Sequence, residues 1–446
     1  MLRKCAAVPP EVPYNCLART LQCVAIGAYL SVDSGDKELQ ITRSRWGGGT
    51  VPAPERAGPA TTDKLVAKDA LKFSFFLWLA VRLALSAWGA LSIIATGEAR
   101  TVGADAQHYL LGVWNVFDSN HYINIATNGY ESNPYYLTAF FPGFPLLIKF
   151  VSFLLFDNPL LAALLVANVS TIFFFWYLYR LVEADYGEQV ARRAVVFSAV
   201  FPTSYYLFMG YTEAPLLAFS VAALYYGRQG KWWAAGMLAG AAALVKQPGI
   251  FLFAPLAYMY ARHYLAHTSK EARSFTGLVK RLDWAWLLLS PATAMTYTAY
   301  RYLLLGSQLK GPTDLGASEM LQFPGAPLVQ ALRVAHTGNP LLAFNLMEIA
   351  FTLLMIGLAV GSLVKLRSAT YAIYSLLIAV VSLSVTWPHI WRPEADMPRR
   401  MLIIFPLFIY LALVISNRHA FMFTAAASFL VGLVLSFFFV NGFFVS

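Results

Sequence analysis

Residues 117–148 read FDSNHYINIATNGYESNPYYLTAFFPGFPLLI. The stretch follows the first long apolar run of the chain and opens on an acid, Asp118, in a polar and aromatic setting. It re-enters an apolar run through Phe140-Phe141-Pro142-Gly143-Phe144-Pro145. Proline and glycine at the start of a membrane segment break the helix. Broken backbone at membrane depth is tolerated only where protein or a water-filled cavity covers it. The stretch therefore predicts a polar pocket at a bilayer surface.

Composition agrees. The 446 residues are 58% hydrophobic and 13% charged, with a mean hydropathy of +0.57. Soluble domains are nearer ~45–50% apolar and ~25% charged. Apolar runs fall at about 72–96, 139–157, 159–181, 192–209, 211–227, 232–246, 249–265, 284–305, 340–364, 369–386, 401–416 and 420–445. The expectation is an all-α polytopic membrane protein. The net charge of +10 does not point to nucleic acid, because excess Lys and Arg in such a protein belongs to cytoplasmic loops.

Residues 1–71 differ: Pro, Gly and charge are frequent and no periodicity is sustained. They read as a mostly disordered segment. Within them the patch Leu21–Val32 could serve as a signal-peptide core, though its polar leader is long. A third reading is a natural start further downstream. Cys5, Cys16 and Cys23 all lie there, so no disulfide staples the membrane body, and their spacing fits no zinc pattern. The integral membrane domain is 72–446, with outer loops at 97–138, 306–339 and 387–400.

Placing Lys64, Lys68, Lys72, Arg228, Lys231, Arg262, Lys270, Arg273, Lys280, Arg281, Lys365, Arg367 and Arg418 in the cytoplasm satisfies the positive-inside rule with alternating crossings. Arg180, Arg192 and Arg193 join them if 139–157 is a re-entrant or interfacial helix and 159–181 the true span. The alternative is two full crossings there. The first arrangement gives about eleven crossings, with the N-terminus inside.

Asp118 then lies in the first outer loop, and Thr212 and Glu213 at the outer end of a span. Lys246 ends another span beside the breaker Gln247-Pro248-Gly249. Arg392, Glu394, Asp396, Arg399 and Arg400 fill the last outer loop. Ionisable groups at membrane depth are costly and mark a site by default. Blander readings stand beside this one. Asp118 could cap a helix, Glu213 could be a first-turn acid and Lys246 could snorkel. Arg399 and Arg400 could contact headgroups, and Lys149 is read as structural. Arg82, inside the first span, must face protein or a polar cavity. The pairs Asp105-x-x-His108 and Asp118-x-x-His121 could each share a helix face and ligate a divalent metal, although the hallmark spacings are absent and no other cofactor is suggested. The loop 306–339 carries Gly and Pro at both ends and predicts a lid-like segment with a short helix near Leu328–Val334.

Several motifs carry a family resemblance. Asp118-Ser119, Ile125-Ala126-x-x-Gly129-Tyr130 and Ala139-Phe140-Phe141-Pro142-Gly143-Phe144-Pro145-Leu146 resemble the core of PIG-V-type mannosyltransferases. That is the family of GPI mannosyltransferase 2 and its bacterial relatives, with the GT-C membrane fold. Phe201-Pro202-Thr203, Tyr211-Thr212-Glu213, Lys246-Gln247-Pro248-Gly249, and Met397-Pro398-Arg399-Arg400 with Phe405-Pro406-Leu407 resemble further elements in order. The likeness runs over about 72–416. Phe117 stands where the family has tryptophan, Lys246 where arginine is commoner, and Arg400 where an aromatic is commoner.

The resemblance implies a polyprenyl or dolichyl phosphate mannose donor, transferred with inversion on the non-cytoplasmic face to a glycolipid or glycan acceptor. Asp118 would be the general base, with Glu213 orienting the acceptor or supporting the base. Arg399, and Lys246 or Arg400, would receive the donor phosphate. His121, Tyr130, Phe141, Pro142, Tyr211 and Thr212 would line the substrate pocket. A bacterial or archaeal cytoplasmic membrane is favoured over the endoplasmic reticulum, since no retention signal is present. The rival readings are a transporter or lipid flippase, whose polar residues would sit near the midplane of internally repeated halves, and a non-catalytic membrane scaffold.

Overall fold

A computed structural model describes residues 60–96, 111–268, 276–277, 281–308, 314–316, 319–386 and 391–445. The cysteines, Asp105, His108 and the patch Leu21–Val32 lie outside these residues. The described part from Ala67 onward forms one unit, built almost wholly of helices.

The first helix, α1 (Ala60–Thr96), begins within the segment expected to be irregular. After Gly112–Trp114, a single 3-10 turn, come α2 (Asp118–Asn128), α3 (Pro134–Leu137) and α4 (Gly143–Leu154). Next are α5 (Pro159–Tyr186), α6 (Glu188–Val200), α7 (Glu213–Arg228), α8 (Trp232–Val245), α9 (Phe253–His267) and α10 (Leu289–Leu305). A short hairpin, β1 (Asp314–Gly316) and β2 (Glu319–Leu321), precedes α11 (Ala326–Val334), α12 (Leu342–Lys365) and α13 (Ala369–Ser382). The strand β3 (Val385–Thr386) leads to α14 (Met397–Ile403), α15 (Pro406–Val414) and α16 (Arg418–Val440).

Local chemistry sets these boundaries. Pro159 starts α5 at a position where its missing N–H costs nothing, while the Asn158 side chain accepts from Leu161 N at 3.0 Å. Gly187, at φ +84°, ends it. Among the described residues, four helices are long and apolar enough to cross a membrane: Ala67–Thr96, Pro159–Tyr186, Leu342–Lys365 and Arg418–Val440. A fifth span is available if α14 and α15, bent by 81°, are taken together. The bend falls where Pro406 removes a helix hydrogen bond.

About eleven crossings therefore do not appear as eleven long helices. A straight helix needs ~20 residues to cross ~30 Å of hydrocarbon. The run at 192–209 stops at Val200 before Pro202, and the run at 249–265 begins as a 3-10 segment, Gln247–Leu252, that becomes helical at Phe253. The helix α4 has 12 residues, too few to cross, as expected for a re-entrant or interfacial element. Phe150, Phe153, Leu154 and Phe156 on and after it are exposed, which suits contact with lipid.

The centre is packed with small side chains. Ala162, Ala163 and Ala167 of α5 lie buried, as do Ala214, Ala222 and Ala223 of α7 and Ala235, Ala239 and Ala242 of α8. Membrane helices gain little from a hydrophobic effect between them, so close backbone approach and dispersion hold them. The loop 306–339 contains the expected short helix, found at Ala326–Val334. It also holds the hairpin whose strand β2 pairs antiparallel with β3, Met320 facing Thr386. That sheet ties the loop to the chain leading into the last loop.

A charged cluster between two cavities

Asp118 is the first residue of α2, and Phe117 before it is held at φ +51°. A non-glycine residue costs ~1–3 kcal/mol there. The packing over-determines it: the Phe117 ring lies 5.0 Å from Phe439 and 5.1 Å from Phe444. The Asp118 backbone N–H donates to Tyr211 Oη at 3.2 Å, and the same hydroxyl donates to Val116 O at 3.0 Å.

Glu213 opens α7, where the helix dipole favours an acid. It is fully buried, so its charge must be paired. Its Oε1 accepts from Lys246 Nζ and from Arg399 Nε, both at 2.6 Å. Lys246 reaches it because α8 ends there in an extended residue and the chain folds back as Gln247-Pro248-Gly249. Only glycine fits this fold-back, since a Cβ at Gly249 would lie 2.2 Å from the Ala242 carbonyl carbon. Gly143 has a matching role. A Cβ there would come 2.7 Å from the Leu244 and Val245 backbone, so the Phe-Pro-Gly-Phe-Pro segment can rest directly on the end of α8.

Arg399 joins these parts. Its Nη1 donates to Asp118 Oδ2 at 2.6 Å and lies 3.6 Å from Asp396 Oδ1. Its guanidinium covers the faces of Tyr206 and Tyr211, 5.1 and 4.8 Å from the ring centres. Arg400 turns away: its Nε donates to Asp396 Oδ2 at 3.3 Å and its Nη1 to Val385 O at 2.8 Å. The Tyr122 hydroxyl meets Thr212 Oγ1 at 3.3 Å. Burial and the nearby Asp118 carboxylate push that phenol well above its ordinary value, so it stays neutral.

Two cavities meet at Asp118. The larger, about 400 Å³, is lined by Asp118, Lys246, Arg301, Asp396, Arg399 and Arg400 and by apolar groups such as Phe140, Phe141 and Ile250. The smaller, about 350 Å³, is lined by Phe117, Asp118, His121, Tyr136, Arg392, Ala395 and Phe444. Asp118 and Tyr136 line both. The Asp118 side chain keeps 17% exposure against none for Glu213, so of the two only Asp118 can touch a ligand. The smaller cavity is braced by Arg392, whose Nε donates to Glu348 Oε1 at 2.8 Å and whose Nη1 donates to Phe444 O at 2.8 Å.

The structure thus gathers Asp118, Glu213, Lys246, Arg399 and Arg400, and puts Phe141 on the wall of the larger cavity and His121 on that of the smaller. Tyr211 packs against Arg399 and bonds the Asp118 backbone, while Thr212 meets Tyr122. Tyr130 and Pro142 line neither cavity; the Tyr130 hydroxyl donates to Phe140 O at 2.9 Å. Arg82 faces protein, with Nη1 donating to Phe208 O at 2.8 Å. Sequence reading missed Tyr122, Tyr136 and Arg301. The lone arginine in the apolar run 284–305 was the available signal for Arg301. Among the described residues no three His, Cys, Asp or Glu side chains come together as a metal site.

Residues 138–304 match the family profile of dolichyl-phosphate-mannose-protein mannosyltransferases. No curated protein matches the chain. Among solved structures it is similar to ArnT from Cupriavidus metallidurans bound to undecaprenyl phosphate, at 12% identity and a TM-score of 0.43. That likeness covers 77% of this chain and 60% of ArnT. It is also similar to the archaeal oligosaccharyltransferase AglB from Archaeoglobus fulgidus, in complex with an inhibitory peptide and a dolichol-phosphate, at 14% identity and a TM-score of 0.41. There the cover is 82% of this chain and 56% of AglB. The chain therefore spans less than two thirds of the length of either.

Proposed function

We propose that this chain is a GT-C membrane glycosyltransferase of the PIG-V type. It moves a sugar, mannose, from a polyprenyl or dolichyl phosphate to a hydroxyl of a lipid- or protein-linked acceptor at the non-cytoplasmic face. One observation carries the reading: Asp118 keeps the most exposure of the cluster's carboxylates, and it stands where a cation-lined cavity meets an aromatic one. The match of residues 138–304 to a mannosyltransferase family supports the choice of sugar.

The larger cavity, with its apolar wall and its cations, suits a lipid phosphate. The smaller, with Phe117, His121, Tyr136 and Phe444, suits a polyhydroxylated acceptor stacked on aromatic faces. An acceptor hydroxyl beside Asp118 gives its proton to the carboxylate as its oxygen attacks the anomeric carbon. The bond from that carbon to the phosphate oxygen breaks, and its electron pair leaves with the lipid phosphate. Attack from the smaller cavity and departure into the larger place the two bonds on opposite sides of the carbon, which inverts the configuration. Arg399 holds Asp118 in place, and Glu213 in turn holds Arg399 and Lys246. Lys246 has hydrogen-bonding capacity beyond its bond to Glu213 and receives the phosphate first. Arg399 and Arg400 add positive potential behind it.

Purified protein in lipid, given radiolabelled polyprenyl-phosphate mannose and a panel of acceptors, tests this. Asp118→Asn is expected to lower kcat by about 10²–10⁴-fold while the protein still folds and binds the donor. Wild-type turnover in that variant would remove Asp118 from the mechanism, and transfer to no acceptor would remove the reading.

A further inference from the structure

The larger cavity holds more positive charge than its carboxylates balance. Four cations line it, Lys246, Arg301, Arg399 and Arg400, and they meet three carboxylates, Asp118 and Asp396 on the wall and Glu213 behind it. Three of the four cations are bonded to those carboxylates. Arg301 is not: its Nε and Nη2 are buried and have no hydrogen-bond partner among the described residues.

Arg301 is also the sole charged residue of α10, a helix that otherwise turns Met295, Leu303 and Leu304 outward. An arginine at membrane depth faces a cavity or a partner, and a buried donor left empty is costly. Its position is fixed. One turn earlier, the Tyr297 hydroxyl shares its proton between Thr138 O at 3.0 Å and Phe140 O at 3.1 Å, and the Tyr297 ring lies 4.6 Å from that of Phe141. Arg301 is therefore held on the same wall as the Phe-Pro-Gly-Phe-Pro segment.

We propose that Arg301 is the specificity residue for the donor's phosphate, and that the cavity's single surplus charge selects a lipid linked through one phosphate rather than two. This rests on the transferase reading for the identity of the lipid. A guanidinium presents its N–H groups as a fork that matches two phosphate oxygens. One phosphodiester carries one negative charge and neutralises the surplus. A diphosphate linkage adds a second charge with no cation left for it, in a site where burial makes an unpaired charge expensive.

The test uses the full chain in zwitterionic nanodiscs, with undecaprenyl phosphate mannose, undecaprenyl diphosphate mannose, undecaprenol and phosphatidylglycerol as probes; the two sugar-linked lipids carry one and two negative charges. Wild-type protein is expected to bind the monophosphate more tightly than undecaprenol and more tightly than the diphosphate. Arg301→Gln is expected to weaken the monophosphate about 10- to 100-fold and leave undecaprenol unchanged. Arg301→Lys should recover part of the loss, because it restores charge without the fork. It also provides the readout should the glutamine variant fail to fold. Lys149→Gln, on the exposed side of α4, is the neutral control.

Wild-type affinity in Arg301→Gln, or in Arg301→Lys where only that variant folds, overturns the proposal. So does equal or tighter binding of the diphosphate, or equal competition by phosphatidylglycerol, which would make the site a general headgroup contact. The two readings fail separately. Arg301-dependent phosphate binding without sugar transfer would remove the transferase and leave the site. Transfer by Arg301→Gln at the wild-type KM would remove the site and leave the transferase.

Discussion

Glu213 offers one carboxylate oxygen to two cations and has no exposure of its own, which sets its chemistry apart from that of Asp118. Neutralising it leaves Lys246 without a counter-charge and Arg399 with one fewer. Removing one partner of a buried pair costs ~3–5 kcal/mol. Glu213→Gln should therefore lower thermal stability by about that amount as well as turnover. The Asp118 carboxylate is partly exposed and, among the described residues, ion-paired with Arg399 alone, so Asp118→Asn should lower turnover with a smaller loss of stability. Equal unfolding temperatures for the two variants would show that Glu213 is not the buried anchor. Arg399 is the residue no substitution should replace. Its Nε and Nη1 engage different carboxylates at 2.6 Å each while its plane lies on Tyr206 and Tyr211. Lysine carries the same charge at a single point and has no plane to stack. Arg399→Lys is expected to reduce kcat by about 10²-fold, measured in the same transfer assay; activity near wild type would show that charge alone suffices.

At the scale of elements, two glycines let broken backbone deliver charged side chains. Gly143 sets α4 against the end of α8, and Gly249 folds the chain back over Ala242 beside Lys246. Alanine at either position places a carbon 2.2–2.7 Å from backbone atoms, and backbone cannot move aside as a flexible side chain can. Gly143→Ala and Gly249→Ala should each cost ~1–3 kcal/mol in stability and displace Lys246, with about a 10²-fold loss of kcat. Gly357, in the middle of α12, has nothing within 4 Å of a built Cβ. Gly357→Ala should leave activity unchanged and gain up to ~1 kcal/mol, since alanine is the better helix former. A Gly249→Ala variant as active as Gly357→Ala would show that the fold-back does not position the site.

Across the whole molecule, the arrangement expected from charge asymmetry puts the loop after α2 outside and the turn after α7 inside. With Cys5, Cys16 and Cys23 replaced by serine, Ser132→Cys should react with an impermeant thiol reagent in intact cells. Gln229→Cys should react only after permeabilisation, and both positions are exposed. Labelling of both from one side would overturn the topology. The residues alone determined the class of this protein: 58% hydrophobic residues in repeated runs fit a bilayer and nothing else. They also marked the places where chemistry could sit, because Asp118, Glu213, Lys246 and Arg399 stand out in apolar or proline-broken surroundings, and hydropathy and backbone breakers act locally along the chain. Tertiary structure decided the rest. Arg399 meets Asp118 across 281 positions, the Asp118 carboxylate faces two cavities while that of Glu213 faces none, and Arg301 is left without a counter-charge. Such facts depend on which helices pack together and how far a side chain reaches. Hydropathy also could not fix the number of crossings, since an apolar run looks the same whether it forms one straight helix or, as at Pro406, two helices bent by 81°.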